Sequence, residues 1–88
     1  MKLDPSIDDL HINAPIQIQP NPRVEKKWMG ALCRVVWLYR NSEQYKNIVL
    51  AHPVHAKAGK NLRLHKRYVI LLTEEEFREM YIAQELQL

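Results

Sequence analysis

The apolar residues of this chain change their spacing once, at Thr73, and this change limits the fold more than any other feature. Before Thr73, short runs rich in β-branched and aromatic residues alternate with polar residues, which is typical of strands. After it, Phe77 and Tyr81 begin a helical i, i+4 spacing. Thr73 and Glu76 also have the spacing of a capping box, so we predict one helix over residues 74–87.

Three segments before Thr73 are predicted as strands: residues 31–40, 47–56 and 61–72. Helix stays an alternative for the first, because a short apolar run fits either structure. Pro53 cannot donate to a ladder, so the second strand should lie at an edge or carry a bulge there. The turn residues 57–61 then predict a hairpin that joins the second and third strands.

The beginning of the chain is predicted to be an extended arm, separate from the folded domain. Residues 1–23 hold four of the five prolines, which favour extended backbone, so we expect an extended arm that is mobile at its start. Around Ile16 and Ile18 the arm alternates like an edge strand, or like a segment that orders against a partner. Residues 24–88 should form a single domain, since 88 residues leave room for one at most.

The predicted fold class is therefore α+β. It combines a small antiparallel sheet, or half-open SH3-like barrel, of three to four strands with a C-terminal α-helix and the extended N-terminal arm. Alternation in the third strand puts Arg63 and His65 on the same face as Val69 and Leu71. That strand should leave a charged hairpin tip and enter a core that is buried on both sides.

Charge is divided sharply along the chain. Residues 1–22 carry one Lys and three Asp, a net charge of −2, and residues 73–88 carry one Arg and five Glu, a net charge of −4. Residues 23–72 carry eleven Lys or Arg and two Glu, a net charge of +9. The overall charge of +3 thus conceals a strongly basic middle, which predicts an anionic partner.

The basic charge is densest in residues 55–68, where five of fourteen residues are Lys or Arg, two are His and none is acidic. Such a hairpin could neutralise several phosphates, and interleaved aromatic residues could stack on bases. We therefore expect a small non-enzymatic nucleic-acid-binding regulator or accessory protein, acting on DNA or RNA. The candidate anion-binding residues are Lys57, Lys60, Arg63, His65, Lys66 and Arg67, and secondary basic or aromatic candidates are Lys26, Lys27, Trp28, Arg34, Arg40 and Lys46. Further aromatic residues are Trp37, Tyr39, Tyr45 and Tyr68.

Two alternatives remain. A protein-interaction module could dock its basic sheet on an acidic protein partner by the same charge. A small basic ribonuclease could use Arg63, His65 and Lys66 for charge stabilisation and acid–base chemistry. The sequence carries no catalytic signature, however, and Cys33 lies in an apolar run, where a buried inert thiol is the usual case. We therefore expect no enzyme.

Metal, cofactor and membrane binding are not expected either. His52, His55, His65 and Cys33 could supply four zinc ligands, but the spacing of the histidines matches no finger pattern. The uncharged run 47–56 is far shorter than the roughly 20 residues that span a bilayer. One cysteine allows no intramolecular disulfide, and residues 1–10 lack the pattern of a secretory signal, so we expect a reducing, cytoplasmic setting.

The helix offers more apolar residues than one sheet face needs. The sheet could be covered by Phe77, Met80 and Tyr81. The apolar residues that would then have no place on the sheet are Ile82, Leu86 and Leu88. A two-fold interface would bury this stripe against a second copy, so we expect a homodimer through the C-terminal helix. The alternative is that Ile82 and Leu86 pack on the arm.

Overall fold

A computed structural model describes residues 1–87 of the chain. It confirms the α+β class with a single C-terminal helix, but it has six strands rather than three to four. Three short 3₁₀ helices lie between them, at Ile7–Asp9, Lys26–Trp28 and Lys66–Tyr68. The strands are β1 (Lys2–Leu3), β2 (Pro15–Ile18), β3 (Leu32–Leu38), β4 (Ile48–Pro53), β5 (Leu62–His65) and β6 (Val69–Leu71), and the helix is α1 (Glu74–Leu86).

The six strands form one antiparallel sheet in the order β1-β6-β2-β3-β4-β5. The segment predicted as an arm thus supplies both an edge strand and an interior strand. Within β2, Ile16 pairs with Cys33 of β3 on one side and with Leu71 of β6 on the other. Ile16 and Ile18 are fully buried, because both sides of β2 are paired and one face lies in the core. Mobility at the start of the chain stays a prediction.

The sheet is curled into a half-barrel, and its connections require this. β5 is at one edge and β6 is second from the other, so a flat sheet would separate them by four strand spacings, about 19 Å. His65 ends β5 and Val69 begins β6. Four residue steps reach about 14 Å at most, even fully extended. Curling brings the two strands within reach and closes the concave face over the main core.

The predicted third strand, residues 61–72, is divided in the structure. The 3₁₀ helix Lys66–Tyr68 separates β5 from β6, and this interruption changes which residues face the core. Leu64 in β5 and Val69 in β6 both belong to the main core, although strict alternation puts them on opposite faces. The local sequence does not indicate this break, because it results from the tertiary structure. The chain must turn at Lys66 to pass from one side of the half-barrel to the other.

Two apolar clusters lie on opposite faces of the sheet. The concave face holds the larger one, which includes Ile16, Ile18, Val35 and Val49. On the convex face, α1 covers the second cluster, formed by Leu32, Ile70, Leu72 and Phe77.

The predicted capping box begins the helix. Thr73 Oγ1 accepts a hydrogen bond from the Glu76 amide at 3.0 Å, and Glu76 Oε1 accepts one from the Thr73 amide at 2.9 Å. The carboxylates of Glu74, Glu75 and Glu76 lie in the first turn, where the positive end of the helix dipole favours them. This local chemistry fixes where α1 starts, and Phe77 then attaches it to the sheet.

We expect Phe77→Ala to lower the free energy of unfolding by about 3–5 kcal/mol, because it empties the centre of the convex cluster. Glu79→Ala, at an exposed position of the same helix, should change it by less than about 0.5 kcal/mol. Urea unfolding followed by circular dichroism measures both. Equal midpoints for the two variants would show that α1 does not depend on Phe77 for its packing.

Candidate functional site

The β4–β5 hairpin presents cations that have no acidic partner. Its loop contains a turn in which the Lys60 amide donates to the Lys57 carbonyl at 3.1 Å, with Gly59 at a φ of +84° that favours glycine. Lys57, Lys60, Arg63 and Arg67 are all exposed. Within residues 1–87, no carboxylate lies at salt-bridge distance from any of these four side chains. Their charge is therefore available to a ligand.

Most of the secondary basic candidates are neutralised within the fold. Lys27 lies 3.6 Å from Glu25, and Lys46 lies 3.5 Å from Glu43. Arg40 donates to the Leu10 carbonyl at 2.6 Å and lies 3.4 Å from Asp8. Asp8 comes from the acidic beginning of the chain, whereas Glu25 and Glu43 belong to the basic middle itself. Lys26 has no carboxylate partner among the described residues, and Trp28 is half-buried against the main core.

Arg34 joins the helix to the sheet. Its guanidinium donates to both carboxylate oxygens of Glu74, at 2.6 and 3.0 Å, and lies 4.2 Å from the centre of the Phe77 ring. Hydrogen bonding from Arg34 lowers the pKa of Glu74 below its ordinary range. A bidentate pair that also stacks on an aromatic ring is a structural contact, and Arg34 is committed to it.

Two members of the predicted hairpin set are also engaged. Lys66 Nζ lies 2.8 Å from Asp4 Oδ1, and its hydrogen bond lowers the pKa of that carboxyl. His65 Nδ1 accepts hydrogen bonds from the backbone amide of Arg67 at 3.1 Å and from its Nε at 3.2 Å. The His65 ring therefore caps the 3₁₀ helix Lys66–Tyr68. His65 Nε2 also lies 3.4 Å from Arg67 Nη2, so these contacts engage both acid–base groups that the ribonuclease alternative needs, His65 and Lys66.

The structure brings a further cation to the hairpin. A groove of about 220 Å³ runs beside β5, between it and the segment that leads to the second 3₁₀ helix. Arg23 lines this groove together with Arg63, Tyr68 and the acidic Glu25. Arg23 has no carboxylate at salt-bridge distance among residues 1–87, and Glu25 pairs with Lys27. No local pattern in the sequence indicates that residues 23 and 63 line the same groove, so Arg23 is not among the residues predicted to bind anions. Arg78, on α1, is likewise unpaired but is not part of this groove.

A β-bulge places Trp37 on the convex face. Val35 pairs with Ala51 and Trp37 pairs with Leu50, so Val36 is an extra residue in β3. Leu50 is flanked by Val49 and Ala51, both fully buried on the concave face, so Leu50 and Trp37 face outward. Arg63 of β5 also pairs with Leu50. Trp37, Leu50 and Arg63 consequently form one row across three strands, and 52% of Trp37 is exposed.

Cys33 and two of the histidines have defined surroundings in the described part of the chain. Cys33 is fully buried, and loss of hydration raises the pKa of its thiol to about 12. His52 Nδ1 lies 2.7 Å from the Lys60 carbonyl, while His55 stacks on Tyr81 with ring centres 5.4 Å apart. Residues 1–87 contain no group of three or more His, Cys, Asp or Glu that could hold a metal ion. Over the same residues no helix is long and apolar enough to cross a membrane.

Comparisons with models of protein families, with curated proteins and with solved structures found no match to this chain. The SH3-like form expected for the barrel therefore stays a prediction. The site must be interpreted from its own geometry.

His65 makes stability depend on pH in a defined range. Burial and the nearby charges of Arg67 and Lys66 lower the pKa of His65 below its ordinary value of 6.5, while Asp4 opposes this weakly. The unfolded chain then binds more protons than the folded one, so this stabilisation is present above pH 6.5 and is lost as pH falls.

We expect the midpoint of thermal unfolding to decrease between pH 7 and pH 5, and His65→Asn to reduce that decrease. Asparagine keeps a side-chain acceptor for the Arg67 amide and does not titrate. The lowered pKa values of Asp4 and Glu74 act at more acidic pH, which separates their contribution. Identical profiles for the two proteins above pH 5 would contradict the assignment to His65.

Proposed function

We propose that this protein is a small, non-enzymatic nucleic-acid-binding protein with regulatory or accessory activity. It binds the nucleic acid through the loop of its β4–β5 hairpin and through strand β5. One observation carries the proposal: among residues 1–87, cations without a carboxylate partner are concentrated on this side of the sheet, while cations elsewhere mostly have one. Arg23, Lys57, Lys60, Arg63 and Arg67 make up this group, which we call the cation track.

A polyanion with regularly spaced charges fits the track. Arg63 lies in an edge strand, and Arg67 lies in the 3₁₀ helix that follows this strand. Lys57 and Lys60 extend the charge into the hairpin loop. When these side chains neutralise phosphates, they release the counterions that were condensed on the nucleic acid, and this release drives binding at low salt. The same charge supports the second candidate, an acidic protein partner, so the two must be separated by experiment.

The track predicts a specific effect of charge removal. Changing Lys60, Arg63 and Arg67 together to Ala should weaken binding to a single-stranded oligonucleotide. The slope of log K against log salt should also become less steep by about 2, since each lost phosphate contact contributes about 0.7. Fluorescence anisotropy titrations at several salt concentrations measure both quantities.

The matched control changes Lys2, Lys27 and Lys46 to Ala. It removes the same total charge, but each of these lysines lies beside a carboxylate in the structure. The proposal requires the control to bind more tightly than the track variant. It is rejected if the wild-type protein binds no oligonucleotide at 50 mM salt, and binding of polyglutamate instead would favour the acidic-partner alternative. A high ratio of absorbance at 260 and 280 nm in the purified protein would be early support.

We also propose a homodimer through α1. Ile82 and Leu86 are 52% and 83% exposed, and they do not pack on Ile16 and Ile18, which lie in the concave core. A two-fold contact between helices would remove this exposed stripe from water.

Light scattering at micromolar concentration should give about twice the 10.5 kDa of one chain. Changing Ile82 and Leu86 together to Glu should reduce the mass to that of one chain, whereas Glu79→Gln should not. A wild-type mass of 10.5 kDa would reject the dimer.

A further inference from the structure

We propose that Trp37 is a stacking platform for an unpaired base, so that the nucleic acid bound by this protein is single-stranded. This inference rests on the proposed function and identifies its substrate class. It depends on the backbone of β3, on the position of Trp37 relative to the cation track, and on the surface around the indole ring.

The bulge at Val36 turns Trp37 outward. Strict alternation from Cys33 and Val35, both buried, would direct Trp37 into the concave core. The extra residue instead turns Trp37 to the convex face and returns Leu38, 7% exposed, to the core. Bulges that re-aim a side chain are common beside functional sites. Here the backbone places the most exposed aromatic side chain of residues 1–87 on the surface.

The row formed by Trp37, Leu50 and Arg63 places an aromatic ring near a cation. Two strand spacings, about 10 Å, separate the backbones of Trp37 and Arg63, and the half-buried Leu50 lies between them. An indole face at one end of the row can stack on a base, while a guanidinium at the other can bind a phosphate. A sheet face that carries an aromatic residue beside cations is a common arrangement for binding unstacked bases.

The surface beyond Trp37 leaves room for a base. An open cleft of about 630 Å³ adjoins the ring and is lined by Ile12, Tyr39 and Arg40 among others. Ile12 is 54% exposed and offers a second apolar contact. Arg40 is committed to Leu10 and Asp8, so the charge for the phosphates must come from the track. A base within a duplex could not reach this ring, because its faces are covered by neighbouring pairs.

The central experiment compares Trp37→Leu with Trp37→Phe, which keeps an aromatic ring. We expect Trp37→Leu to weaken binding to oligo(dT) by about 5- to 150-fold, and Trp37→Phe to weaken it less. The salt slope should not change, because no phosphate contact is lost. Trp37 lies on the surface, so both variants should keep the wild-type circular dichroism spectrum.

Intrinsic fluorescence gives an independent measurement. The chain has two tryptophans, and the indole nitrogen of Trp28 is buried whereas Trp37 is exposed. Stacking should quench the Trp37 emission on titration with oligo(dT), and the quenching should be absent in Trp37→Phe. An abasic sugar–phosphate strand of equal length should bind more weakly than oligo(dT) and quench less, and a duplex should not quench.

The outcomes distinguish this inference from the proposed function. If the wild-type protein binds oligo(dT), the abasic strand and a duplex alike, and Trp37→Leu binds as the wild type does, the platform is rejected while the cation track stands. If the wild-type protein binds none of them at 50 mM salt, the proposed function fails and the platform fails with it.

Discussion

Strand β2 holds the two parts of the sheet together. It pairs with β3 on one side and with β6 on the other, so it links the β3-β4-β5 meander to the β6-β1 pair. Its isoleucines, Ile16 and Ile18, reach zero exposure in the concave core. The curl of the sheet and the short connection from β5 to β6 both depend on this insertion. An early segment rich in prolines therefore determines the geometry of strands that come much later in the chain.

The fold also redistributes the charge. In sequence, the acidic ends and the basic middle are separate blocks, but in the structure the ends return to the middle at defined points. Asp4 lies beside Lys66, Asp8 beside Arg40, and Glu74 beside Arg34. Such exposed pairs contribute little to stability individually. Their larger consequence is that they neutralise some cations and not others. In the described part of the chain, most of the cations without a carboxylate partner therefore lie in the β4–β5 hairpin and just after it.

One inserted residue decides the character of the convex face. Without the bulge in β3, an alternating strand would bury Trp37 beside Val35. With it, the indole lies in a row with Leu50 and Arg63 on the half of the convex face next to β5. Helix α1 covers the other half through Phe77, and Arg34 ties its first turn to the sheet through Glu74. Because α1 covers only one half of this face, Trp37 and part of Leu50 stay open to solvent beside the cation track.

Local sequence by itself determined the helix and the general character of the hairpin. Thr73 and Glu76 satisfy each other's backbone groups within one turn, and Lys57 and Lys60 flank a turn whose glycine is two residues after Lys57, so neither feature needs distant contacts. Only the tertiary structure decided the interior position of β2, the break at Lys66–Tyr68, the placement of Arg23 and Arg63 along one groove, and the outward position of Trp37. Each of these depends on which strands pair and in which register. Strand pairing joins residues far apart in sequence, whereas alternation and capping report only on near neighbours.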